Sequence, residues 1–295
     1  MALGSRSNGR SLVALALLAA VACTPSDDEP RDDRLRVVAS FYPLAEAARR
    51  IGGSCVDVVD LTPPGVEPHD LELSSDALEA IVTADVVVYL GGGFQPAIEE
   101  AVDEAVGIVV DVSQDQSTLP SPDGTAIDPH LWLDPSRYAN IADGIAAGLR
   151  AAGAPEGCAV DANAGVFRDE LALLDAEFAT GLDGCRDEVF VTAHAAFAYL
   201  ADAYGLRQEA IAGVDPEAGI GARRMAEIRA LLIREAVSTV FTEELVAPDV
   251  AETLASEVGA RTAVLRTVEA KPAVGDYASA MRENLRALRG ALGCP

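Results

Sequence analysis

A chain of 295 residues, half of them hydrophobic, carries enough apolar material to bury sizeable cores, which excludes a disordered protein, and its length suits about two domains. With 47 acidic side chains against 22 basic ones the formal charge is −25, so DNA or RNA would be repelled over most of the surface. Nucleic-acid binding is thereby excluded as a main role, and cations become the natural partners, although acidity also serves plain solubility.

In chain order, Arg6 and Arg10 precede the apolar run SLVALALLAAVAC, Ser11 to Cys23. That run is too short to span a bilayer but has the size of an export signal's hydrophobic region. Ala20 and Ala22 ahead of Cys23 look like a bacterial lipoprotein cleavage site. Residues 1–22 are therefore expected to be removed and Cys23 lipidated, with plain secretion as the alternative; the protein is expected to be exported, as a periplasmic or cell-surface lipoprotein. Residues 23–34 read as a polar tether with nothing to bury.

Beyond the tether, the apolar runs 35–41, 56–61, 85–90 and 107–112 alternate with helical segments at 43–52, 75–83 and 95–105. Residues 159–184 contain no proline and place Val166, Leu171, Leu174, Phe178 and Leu182 at helical spacings, which predicts one long helix. The alternation then resumes, with strands at 188–193, 206–213, 238–243 and 261–265 and helices near 195–204, 221–236, 248–258 and 276–290. Strands rich in β-branched residues alternating with helices predict an α/β chain of two lobes, each a parallel sheet wrapped by helices. The expected division is an N-terminal lobe over 35–157, a rigid linking helix over 158–184 and a C-terminal lobe over 185–295.

With Cys23 set aside, Cys55, Cys158, Cys185 and Cys294 make an even count in an exported protein, which suggests two disulfides. A helix of about 22 residues is roughly 33 Å long, which keeps Cys158 from Cys185. The favoured pairing is Cys55–Cys158 with Cys185–Cys294, one bridge at each end of that helix; four free thiols are the alternative.

Only three histidines occur, and all lie at or beyond the carboxyl ends of predicted strands, where open parallel sheets collect ligands. His69 sits in LTPPGVEPHD, His130 in IDPHLWLDP, and His194 closes EVFVTAH. Pro129 and Pro135 stiffen the second segment, Trp132 can wall it from water, and Asp128 or Asp134 can take the proton of the second ring nitrogen of His130. LGGGFQPAIEE, 90–100, lacks the spacing of a dinucleotide fingerprint and the lysine of a phosphate loop, and reads as a turn lining the cleft.

LTPPGVEPHDLELSSDALEAI, DPHLWLDPSRYANIA, VFVTAHAAFAYLADAYGL and DYASAMRENLRAL, in that order across residues 35 to 292, resemble the metal-binding solute receptors of bacterial zinc and manganese ABC importers. The resemblance implies a metal between two lobes, delivery to the membrane subunits of an ABC permease, no covalent chemistry, and His69, His130 and His194 as metal ligands. Manganese receptors of this family place a carboxylate where His194 stands. Three nitrogens therefore favour Zn(II) over Mn(II), while affinity alone would favour copper.

The chain departs from the family at the fourth ligand. Where the family usually supplies an aspartate, AVLRTVEAKP has Arg266, which cannot ligate a cation. Glu269, Glu67 or Glu243 is expected to supply the oxygen, or water fills the position. Two other readings stay open: an adhesin-like or non-transporting lipoprotein with an altered site, and a zinc enzyme with an open fourth position. The short loop 113–127 holds no histidine and reads as a plain flexible connection, and the protein is expected to be a monomer tied to the membrane only through its lipid.

Overall fold

The fold is built from eight short strands and the helices between them, in a computed structural model that describes residues 1–4, 33–114 and 116–295. The signal segment, Cys23 and nearly all of the tether lie outside the described residues.

β1 (Leu35–Ala39), β2 (Val56–Asp60), β3 (Val86–Tyr89) and β4 (Ile108–Asp111) form one parallel sheet in the order β2-β1-β3-β4. β5 (Val189–Thr192), β6 (Arg207–Ala210), β7 (Thr239–Thr242) and β8 (Arg261–Val264) form a second in the order β6-β5-β7-β8. In both, every crossover is long enough to carry a helix, as parallel pairing demands. The helices are α1 (Tyr42–Gly52), α2 (Ser75–Thr83), α3 (Pro96–Ala101), α4 (Pro135–Ala151), α5 (Val160–Leu182), α6 (Ala198–Ala203), α7 (Ala222–Arg234), α8 (Asp249–Val258) and α9 (Tyr277–Leu292). Among the described residues no helix is long and apolar enough to cross a membrane.

One continuous apolar core runs through α1, α4, α5 and α9 and takes in residues of both sheets. Val38, Ile81, Val87 and Ile98 make a smaller core under α2 and α3, and Val191, Ile228, Val240 and Leu254 another under α7 and α8. The linking helix α5 buries Phe167, Leu171, Leu174, Phe178 and Leu182, while Val166 is 66% exposed. Val166, assigned to the buried face from the sequence, is thus corrected: the 4-3-4-4 spacing starts at Phe167, and a residue one position earlier is turned about 100° away.

α4 is a helix that the sequence reading leaves out. Gly144 and Gly148 lower its intrinsic propensity, but Gly148 is what lets the helix lie close on β4, since a Cβ there would meet the side chain of Val110. The helix starts at an Asp-Pro pair. Asp134 accepts hydrogen bonds from the amides of Ser136 (2.8 Å) and Arg137, with Pro135 in the first turn where its missing N–H costs nothing.

Disulfides join Cys55 to Cys158 and Cys185 to Cys294, at the two ends of α5. The first closes 103 residues of chain, so replacing both of its cysteines by serine is expected to lower unfolding free energy by about 2–5 kcal/mol. Urea unfolding of the oxidised protein against the double variant checks this; equal midpoints would contradict it.

Candidate metal centre

Every candidate ligand rides on a segment that leaves the carboxyl end of a strand. His69 lies in a single 3-10 turn (Pro68–Asp70) after β2, His130 opens another (Leu131–Leu133) after β4, His194 follows β5 by two residues, and Glu269 follows β8. The helix expected from 195 begins only at Ala198, because the preceding turn is held for His194: its carbonyl accepts from Thr192 Oγ1 (2.7 Å) and Gln208 Nε2 (3.0 Å).

These turns bring His69, His130, His194 and Glu269 together, with one donor atom of each within 4.8 Å of all the others. His130 Nε2 is 3.4 Å from His194 Nε2 and 3.5 Å from Glu269 Oε1, and His69 Nε2 is 3.9 Å from that same oxygen. Ligands at the corners of a tetrahedron around an ion about 2.0–2.1 Å away stand roughly 3.3 Å apart, so two of these edges already have the spacing of a zinc shell. Side chains of His130 and His194 are fully buried, Glu269 nearly so, and His69 is 8% exposed. His69 Nε2, Glu269 Oε1 and Glu67 Oε2 are buried without a hydrogen-bond partner among the described residues. Leaving such atoms unpaired costs about 1–3 kcal/mol each, so the convergence of the first two marks a place built for a cation.

The outer nitrogens are committed. His130 Nδ1 bonds Asp128 Oδ1 (2.8 Å), which also accepts from the His130 amide (2.9 Å). His194 Nδ1 bonds Glu243, whose other oxygen accepts from the His194 amide (3.1 Å). Both Nε2 atoms therefore face the cluster. Of the carboxylates offered by the sequence, Glu269 is the one inside the cluster. Glu243 stands behind His194, and Glu67 caps its own turn by accepting from the His69 amide (3.4 Å). Asp134 belongs to the start of α4 and takes no part. Arg266 turns away and pairs with Glu244 and with Glu283 (2.9 Å).

Charge is arranged to match. Burial and the neighbouring His130 pull the His69 imidazole down to about 3. Burial opposes a charged His130, yet Asp128 and Glu269 outweigh it and hold that imidazole at about 9. Burial likewise opposes charge on Glu269, but His130 close beside it and the other two imidazoles hold its carboxyl at about 2. Burial, then Glu269, push Glu67 up to about 8. At neutral pH the site thus holds an ion pair, His130 with Glu269, where the cation would sit.

Aromatic side chains close the surroundings. Phe94 packs edge-on to His69 with ring centroids 4.6 Å apart, which puts the 90–100 turn in the cleft wall, and Trp132 lies 5.3 Å from His130. Trp132 Nε1 donates to Thr267 O (2.7 Å), Tyr277 Oη to Trp132 O (2.6 Å) and Tyr199 Oη to Asp128 O (2.7 Å). These three bonds tie the His130 segment to the second lobe. Tyr199, Tyr277 and Thr267 escape a reading by ligand type, since their only signal is a polar tip inside an apolar run. Loop 113–127, read as plain and flexible, is likewise held: Leu119 N donates to Tyr199 Oη (2.9 Å) and Pro120 bridges Ile127. Val268, next to Glu269, has φ 55°. A β-branched residue in that region is strained by about 1–3 kcal/mol, and such strain gathers at functional sites.

The family described as zinc-uptake complex component A, periplasmic (ZnuA), matches residues 37–291. The chain belongs to the ZnuA family. It is 31% identical to the zinc-binding lipoprotein AdcA of Streptococcus pneumoniae over 94% of its own length and 59% of the relative's, so it spans little more than half of that protein. The high-affinity zinc uptake system protein ZnuA of Bacillus subtilis is 29% identical over 97% of both chains. Among solved structures, the laminin-binding protein Lmb of Streptococcus agalactiae, a fellow of this ZnuA fold, matches with a TM-score of 0.83 and 30% identity, covering 88% of this chain and 99% of that one. Zn(II)-bound AdcA of S. pneumoniae matches with a TM-score of 0.77 and 32% identity, covering 88% and 58%.

Proposed function

We propose that this ZnuA-family chain is an exported receptor that captures Zn(II) between its two lobes and hands it to the membrane subunits of an ABC permease. The observation that carries the reading is the convergence of three imidazole nitrogens and one carboxylate oxygen within 4.8 Å of one another in a buried cluster, with two of the pairs at tetrahedral spacing. Three nitrogens and one oxygen suit zinc better than manganese, which asks for more oxygens. A relative described as zinc-binding and another solved with Zn(II) bound support the same cargo.

A catalytic zinc keeps one position open for water, whereas here Glu269 stands ready to fill it, which argues for carriage rather than hydrolysis. The altered-site reading rested on Arg266 facing the ion; that side chain is engaged by Glu244 and Glu283 instead. The proposal includes removal of residues 1–22, a lipid on Cys23, a tether over 23–34, lobes over 35–157 and 185–295 joined by 158–184, and a monomeric state. Deleting the gene should abolish zinc uptake at limiting zinc, and a His130→Ala copy should fail to restore it; restoration by that copy would sink the reading.

Capture should also move protons. Because His130 is held at about 9, it is protonated at pH 7 and must lose that proton to ligate, so zinc binding should release about one proton from it. Apparent affinity should then fall about tenfold per pH unit as pH drops below about 9, since His69 is held low and does not compete. Calorimetry in buffers of different ionisation enthalpy reads the proton count; no release at pH 7 would contradict this account.

A further inference from the structure

We infer that Arg266 is a positioning residue that registers the two second-lobe ligands, His194 and Glu269, to one another. The inference rests on the receptor reading above.

Arg266 makes two separate sets of contacts. Its backbone is clasped by Asn284 of α9: the Arg266 amide donates to Asn284 Oδ1 (2.8 Å) and Asn284 Nδ2 donates to the Arg266 carbonyl (2.8 Å). Asn284 is 1% exposed, so this clasp is shielded from water. It fixes the start of the segment that carries Thr267, the strained Val268 and Glu269. Within that segment Thr267 Oγ1 donates to Glu269 Oε2 (2.7 Å), leaving Oε1 for the cluster.

The side chain reaches the other way. Its guanidinium forks between Glu283 of α9 and Glu244 of the loop after β7. Glu244 adjoins Glu243, the carboxylate that holds both the amide and the Nδ1 of His194. Pulling Glu244 toward Arg266 therefore sets where Glu243 stands, and so how His194 Nε2 is aimed. A planar, always-charged fork suits this task, because it holds two carboxylates from different elements at once. An aspartate here would repel Glu244 and Glu283, and the three acids would spread. The contacts are partly exposed, so they add little to fold stability; their effect should appear in the geometry of the site.

The test compares the full chain with Arg266→Met, Arg266→Lys, Glu244→Gln and the Arg266→Met/Glu244→Gln double variant. Zinc affinity is read by chelator competition, and the His194 Nδ1–H proton resonance is read in zinc-free protein. Arg266→Met and Glu244→Gln should each weaken zinc binding about tenfold, the range expected when a group behind a metal ligand is lost. The double variant should be no worse than the weaker single one. Arg266→Lys, which keeps the charge but not the fork, should fall between the parent and Arg266→Met, and the His194 resonance should shift or broaden in Arg266→Met. Additive losses, an indifferent Glu244→Gln, or an unmoved resonance with affinity within twofold of the parent would overturn the inference. Should Arg266→Met fail to fold, Glu244→Gln decides alone. A parent that binds no zinc would defeat the receptor reading, and the zinc-free resonance would still decide this one.

Discussion

His130→Ala is expected to weaken zinc binding by at least about 100-fold. Binding at a four-ligand protein zinc site is worth about 10–16 kcal/mol, so one ligand accounts for roughly 3 kcal/mol, and 1.4 kcal/mol is a factor of ten. His130 stands to lose more than an average ligand, because its Nε2 lies at the spacing of a zinc shell from both His194 and Glu269. The zinc-free protein should suffer too. Asp128 and Glu269 both neighbour the His130 ring in a fully buried setting, and removing it leaves two acids without their cation. Breaking a buried pair in this way costs about 3–5 kcal/mol. Chelator competition and thermal unfolding of the zinc-free variant check the two parts. An affinity within tenfold of the parent would show that the ion is held elsewhere.

Glu269→Gln is expected to weaken zinc binding by about 100-fold and to cost the zinc-free protein less than His130→Ala does, since Asp128 still pairs with His130. The amide keeps the size of the side chain and an oxygen for Thr267 Oγ1 to meet. It lacks the charge. With three neutral imidazoles the loaded site then carries two positive charges instead of one in a place closed to water, where solvent cannot offset them. Proton release should fall as well, because Glu269 is one of the two acids that keep His130 charged. Its loss also removes the repulsion that, after burial, helps hold Glu67 up at about 8, so Glu67 becomes the natural replacement oxygen. Glu67→Gln added to Glu269→Gln should therefore lower affinity further, and equal affinities of single and double variants would exclude that substitution of roles.

The two-lobed α/β architecture was legible because β-branched runs alternate with helical periodicity over the whole chain after the tether. The histidines stood out for a physical reason: they are three, and parallel strands end where ligands collect. Helix α4 was not legible, since its glycines depress helix propensity and their value lies in contact with Val110 across the sheet. The Val166 assignment failed by a single position, an error that periodicity allows whenever two apolar residues adjoin. The roles of the acids lay beyond sequence altogether. Glu67, Glu243 and Glu269 are the same residue type in comparable loops, and what separates them is which way each loop turns: Glu243 to His194 Nδ1, Glu67 to its own backbone, Glu269 inward beside strained Val268. Arg266 looked like damage to a metal site because it stood where an aspartate ligand was expected, and its partners, Glu244 and Glu283, come from other elements that only the fold brings to it.

The central claim is that His69, His130, His194 and Glu269 together form the shell of a captured zinc ion. Zinc K-edge X-ray absorption of the one-to-one complex tests it most directly. The account predicts four ligands, three of them imidazole nitrogens with their outer-ring scattering and one oxygen, all near 2.0–2.2 Å, and no sulfur. Five or six oxygen-dominated ligands, or fewer than three imidazoles, would contradict it.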